Sequence, residues 1–161
     1  MAARGGYRID DEPRPGTLAR FAVSPLWPLL GLMLGGFWLG LPWFAFNAVA
    51  VGSPNRVREW LLVIGGLVGS VVLALVLMQL LSAGIIATDA DVQYALLALL
   101  IFKLGIGYLL FNQQSATIEI YQYYGGVLNR FGLPVVLVGA FWLKGYVLHL
   151  VPATLWYLVV S

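Results

Sequence analysis

Two lysines stand where a water-soluble chain would not place them. Lys103 and Lys144 each lie half-way along an apolar run, whereas all seven arginines fall in the N-terminal segment or in connections. At the helical rise per residue Lys103 lies ~16 Å past Val92, and Lys144 is at a similar distance past Pro134. That is mid-depth in a hydrocarbon layer about 30 Å thick. An ammonium group there costs at least a few kcal/mol and marks an ion path, a proton relay or a paired acid. Lysine can shed its proton when buried, which arginine effectively cannot. On a helical projection Lys103 opposes the small and polar stripe Tyr94, Ala98, Gly105, Tyr108 and Asn112. Lys144 likewise opposes Trp142, Tyr146 and His149. With those stripes packed inside the chain, both lysines point outward. They then either snorkel or meet a carboxylate supplied by another membrane protein, because no span has a mid-depth acid of its own.

The other reactive side chains have plainer readings. His149, the single histidine, could hold a cofactor edge, face a solute or relay protons, but a hydrogen bond to a neighbouring helix is the commoner role. Asp89-Ala90-Asp91 has the form of a weak divalent-metal pair. Thr88 three residues before Asp91 also forms a capping box at a helix start, and acids there suit the helix dipole. Capping is the stronger reading, so no metal is assigned. The chain has no cysteine, which excludes disulfides, thiolate metal sites and cysteine nucleophiles. No metalloprotease, nucleophile-elbow or phosphate-loop motif is present. The expectation is a non-enzymatic protein without a cofactor.

The elements that must position these residues follow from composition. Of 161 residues 61% are hydrophobic and 10% charged, well below the quarter charged that a soluble domain carries. A net charge of +2 is no field for nucleic acid. The expected fold is an all-α integral membrane bundle of about four transmembrane helices, in one domain over 24–161 after a polar tail over 1–23. The spans are expected at 26–51, 59–81, 92–111 and 133–160, each near the ~20 residues that a crossing needs. Ser24-Pro25 reads as the first helix start, and Pro42 should bend the first span. Residues 112–132 read as an interfacial helix, with an extended segment around Thr117–Ile120 as the alternative.

Glycines spaced four apart, Gly31 with Gly35, Gly36 with Gly40 and Gly65 with Gly69, together with Gly66 before Ser70, read as helix-packing surfaces. Trp27, Trp60, Trp156 and Tyr157 read as interfacial anchors. Orientation is a near-tie: arginines of the tail lie on one side, and Arg56, Arg58 and Arg130 on the other. The acidic Ser82–Asp91 connector suits the outer side, but exporting a tail with four arginines is unfavourable, and the tail favours both ends inside.

The function that fits best is a small membrane subunit in a bacterial inner membrane. It is expected to pack, within the lipid bilayer, against another membrane protein that carries an intramembrane acid. The competing class is an oligomeric transporter or channel using Lys103, Lys144 and His149. An enzyme acting at the Asp89/Asp91 surface comes third.

Overall fold

The computed structural model describes Pro13 and residues 15–161. The described residues are helical throughout, with no strand, and three helices are long and apolar enough to cross a membrane. The rest of the expected polar tail lies outside the described residues. After a short 3-10 turn, Thr17–Phe21, come α1 (Leu26–Gly35), α2 (Phe37–Val51), α3 (Arg56–Ser82) and α4 (Asp89–Tyr123). Then follow α5 (Gly132–His149), which contains a π-helical stretch over Val138–Leu143, and the short α6 (Thr154–Val160).

The long elements form for the expected reasons. α3 and α4 are long apolar runs, α3 with its charges at the start and α4 with Lys103 as its one mid-helix charge, an antiparallel pair joined by residues 83–88. The small residues Gly66, Ser70 and Ala74 of α3 are buried. A Cβ at Gly69 would stand 2.5 Å from the Phe102 ring, and Gly66 faces Ile106. Small side chains on one ridge let the two backbones approach closely. α4 starts on its capping box: Thr88 Oγ1 accepts from the Asp91 N–H at 3.2 Å, and Asp91 accepts from the Thr88 N–H at 3.2 Å.

The first expected span is not one helix. The stretch 26–51 reverses direction at Gly36, whose φ of 102° belongs to the region that glycine alone enters readily. α1 and α2 then pack against each other as the limbs of a hairpin, with 10 and 15 residues respectively. The glycines make this contact possible. A Cβ on Gly40 would lie 2.7 Å from the Leu32 Cα, and one on Gly35 2.7 Å from Leu39. Gly31 packs at 3.4 Å on Leu39 and Trp43. Pro42 lies inside α2, six residues after this reversal. Ser24 makes no side-chain cap; Pro25 holds that position.

The open end of the hairpin is closed by Asn47. Its side-chain amide donates to Val23 O and accepts from the Val23 N–H, both at 3.0 Å. This mimics a pair of backbone hydrogen bonds between the two limbs. The hairpin forms the centre of the molecule: Leu32, Phe37, Leu41 and Phe44 bury themselves against Val63 of α3 and Leu110 of α4.

Two further expectations are revised. No interfacial helix occupies 112–132, because nothing between Asn112 and Tyr123 breaks a helix and α4 simply continues to Gly125, with its φ of 87°. The fourth span also breaks. Pro152 has no N–H to continue α5, and the preceding residue is pushed away from helical geometry. The chain turns back, and α6 returns along α3 until Val160 and Ser161 meet the Gly36 turn.

The reversal at Gly36 yields a sharp test. Gly36→Ala places a methyl group in left-handed backbone, at ~1–2 kcal/mol, and drives it into the carbonyls of Val160 and Ser161. Gly65→Ala meets nothing within 4 Å. Thermal unfolding in detergent should show a clear loss for the first variant and no loss for the second. Equal melting of both variants would rule out the hairpin turn.

Candidate functional site

The tip of the hairpin gathers the two lysines. Lys103 is 4% exposed, and its Nζ donates to Leu158 O at 2.7 Å and sits 5.4 Å from the Phe37 ring centroid. Lys144, half-buried, donates to Leu34 O at 3.1 Å. Both acceptors have the same character. Leu34 is in the last turn of α1 and Leu158 in the last turn of α6, where carbonyls lack an amide partner within their own helix. A cation at a helix C-terminus also meets the negative end of the helix dipole. The lysines therefore cap the ends of α1 and α6 at the level of the Gly36 turn.

This inverts the expected directions. Lys103 and Lys144 turn inward, whereas the stripes thought to be internal turn out. Tyr94, Ala98, Gly105, Tyr108 and Asn112 are all exposed, and a Cβ at Gly105 would meet nothing within 4 Å. Trp142, Tyr146 and His149 are exposed as well, so the histidine is separated from both lysine contacts. Each ammonium finds a carbonyl acceptor at a helix end inside the chain, Leu158 O in α6 and Leu34 O before the Gly36 turn.

A second polar centre, not anticipated from the sequence, lies near the open end of the hairpin. Glu59, 1% exposed, accepts from Ser53 Oγ and from Gln114 Nε2, the latter at 2.6 Å. Gln114 Nε2 also donates to Phe44 O at 2.7 Å, and Gln114 Oε1 accepts from Asn47 at 3.1 Å. One network thus ties α2, α3 and α4 to the segment before α1. Among the described residues no cation pairs with Glu59. Its place in the first turn of α3 adds the favourable end of that helix dipole. The visible signal was Asn47, a lone amide inside an otherwise uncharged apolar run, which had to find polar partners.

The remaining candidates are placed as follows. Gly31, Gly35, Gly36 and Gly40 lie within the hairpin, Gly66 and Gly69 face α4, and Gly65 is open. Asp91 is engaged by Thr88, whose hydrogen bonds hold its carboxyl below the usual carboxylate range. Among the described residues no group of three metal-ligating side chains forms around Asp89 and Asp91. Trp60 is exposed in the first turns of α3, whereas Trp156 Nε1 donates to Val147 O at 2.8 Å and fastens α6 to α5. Comparison of the chain with protein-family models, curated proteins and solved structures found no match.

The lysine geometry carries a test that separates it from a lipid-facing lysine. Lys103→Leu removes the donor to Leu158 O and leaves a buried carbonyl unpaired, at ~1–3 kcal/mol. Stability in detergent should fall, and α6 amides should exchange hydrogen faster. A gain in stability would mean that Lys103 faces lipid.

Proposed function

We propose that the chain is a membrane subunit without catalytic chemistry that binds another membrane protein through the outer face of α4. In this reading α3, α4 and α5 cross the bilayer. The α1–α2 hairpin enters and leaves from one side, and α6 returns to mid-depth. Non-helical backbone at such depth is tolerated where protein buries it, which is what the contacts at Gly36 provide.

The re-entrant hairpin also supports a definite orientation. Arg20, Arg56, Arg58 and Arg130 then share one side, and the Ser82–Asp91 connector, with two aspartates and no basic residue, takes the other. The arginine-bearing side is assigned to the cytoplasm of a bacterial inner membrane.

The observation that carries the subunit reading is the exposed stripe of α4. Tyr94 is 71% and Tyr108 58% exposed, with Ala98 and Gly105 between them and Asn112 at the end. Small residues flanked by hydrogen-bonding ones are the surface that helices use to associate in lipid. The partner need not bring an acid, because Leu158 O already receives Lys103. A transporter or channel is the second reading, favoured by broken helices that meet at a buried lysine, an arrangement used at solute sites.

Topology is tested first. Single cysteines at Thr17, Asn55 and Gly125 should react with an impermeant reagent from one face of the membrane, and one at Ala90 from the other. Reaction of Thr17 and Ala90 from the same face would restore a continuous first span.

Association is tested next. In mild detergent the native complex should survive Gly65→Leu and lose its partner with Gly105→Leu, because the added bulk separates helices at the contact. A chain that purifies without a partner, and moves a solute in vesicles only when Lys103 is intact, would replace the subunit reading with transport.

A further inference from the structure

We infer that the groove between α2 and α5 holds one acyl chain of an anionic phospholipid, with the phosphate between Arg20 and Arg130. The groove, about 430 Å³, is lined by Phe21, Trp38, Pro42, Phe46, Phe131 and Val135, with Asn129 as a polar residue at its mouth. It extends from the 3-10 turn and the loop after α4 down to Trp38, two residues past the hairpin turn. Its long axis therefore follows α2 from the open end to the tip, the path a lipid tail takes from head group to mid-bilayer.

The mouth has the complementary chemistry. Asn129 Nδ2 donates to Arg20 O at 3.0 Å, and Asn129 N–H donates to Ala22 O at 2.7 Å. These bonds bring together two arginine-bearing segments that are far apart in sequence. The Arg20 guanidinium carbon lies 4.8 Å from the centroid of Phe21, itself a wall of the groove. Arg130 stands between Asn129 and Phe131, both of which line it, and both arginines are exposed. Among the described residues no carboxylate lines the groove. Basic residues over an apolar cleft on the cytoplasmic side are the recognised setting for acidic lipid head groups. Guanidinium groups match phosphate oxygens in geometry as well as charge. A protein helix in the same groove would need to bring acids to that mouth, whereas a phospholipid has its phosphate there already.

This rests on the open end of the hairpin lying at head-group level, which the cysteine experiment tests independently. Lipid binding is then measured by native mass spectrometry of the full chain in detergent, titrated with phosphatidylglycerol or phosphatidylcholine of identical tails. The full chain should prefer phosphatidylglycerol. Arg20→Ala and Arg130→Ala should each weaken that lipid roughly five-fold, and the double variant more, with phosphatidylcholine little changed. Val135→Trp, which fills the groove, should weaken both lipids, while Leu133→Trp on α5 outside the groove should weaken neither. Melting in detergent shows whether the tryptophan variants remain folded, and the exposed arginine variants carry the test alone if they do not. Equal affinity for the two lipids, or an undiminished preference in the double arginine variant, would overturn the proposal. So would a dimer that excludes both lipids.

Discussion

The backbone must satisfy its own hydrogen bonds where water is scarce, and nearly everything unusual in this chain follows from it. Two apolar stretches that could have been simple helices are interrupted, at Gly36 and at Pro152. Each interruption strands carbonyls that solvent would satisfy in a soluble protein. Lys144 supplies a donor at Leu34 before the Gly36 turn, the Trp156 indole supplies one at Val147 before Pro152, and Lys103 supplies one at Leu158 in the last turn of α6. The end of α6 abuts the Gly36 turn, so Val160 and Ser161 cover that irregular segment.

The same constraint explains why the polar side chains cluster. Asn47, Glu59 and Gln114 come from three helices, and each would be an isolated liability in an apolar setting. Joined, they satisfy one another and two backbone carbonyls, and they hold the open end of the hairpin while the lysines hold its tip. The apolar core between these two polar layers, around Phe44 and Leu110, has no hydrogen bonds to direct it. Its register is set from the two ends.

The sequence made the long helices legible and hid the reversals. α3 and the first part of α4 are long apolar runs, the second interrupted only by Lys103, and Thr88 with Asp91 announces the start of α4. Gly36 looked like one more packing glycine, because length and hydropathy read the same whether 26 residues run straight or fold back. A breaker at Pro152 was visible, since proline interrupts a helix wherever it falls. The helical projections were sound as geometry: Lys103 does oppose the Tyr94–Asn112 stripe, and Lys144 does oppose Trp142 and His149. Their sign was reversed. In a soluble protein the apolar face goes inside, but in lipid both faces are apolar enough, and the rarer polar group decides. An ammonium needs an acceptor more than a tyrosine or a glycine needs a neighbour, so the lysines took the interior.

That reversal changes what the charges imply about the whole molecule. With a straight first span the arginines divide almost equally between the two sides, and no orientation follows. Folding the span back at Gly36 carries Arg56 and Arg58 to the side of Arg20, and the continuous α4 brings Arg130 there too. One glycine conformation thus converts an ambiguous charge pattern into a polarised one, with aspartates alone on the opposite connector. The same step gathers Arg20 and Arg130 over an apolar cleft. In the proposed topology, orientation and lipid recognition share a single cause, the hairpin that brings the described arginines to one end of the helices.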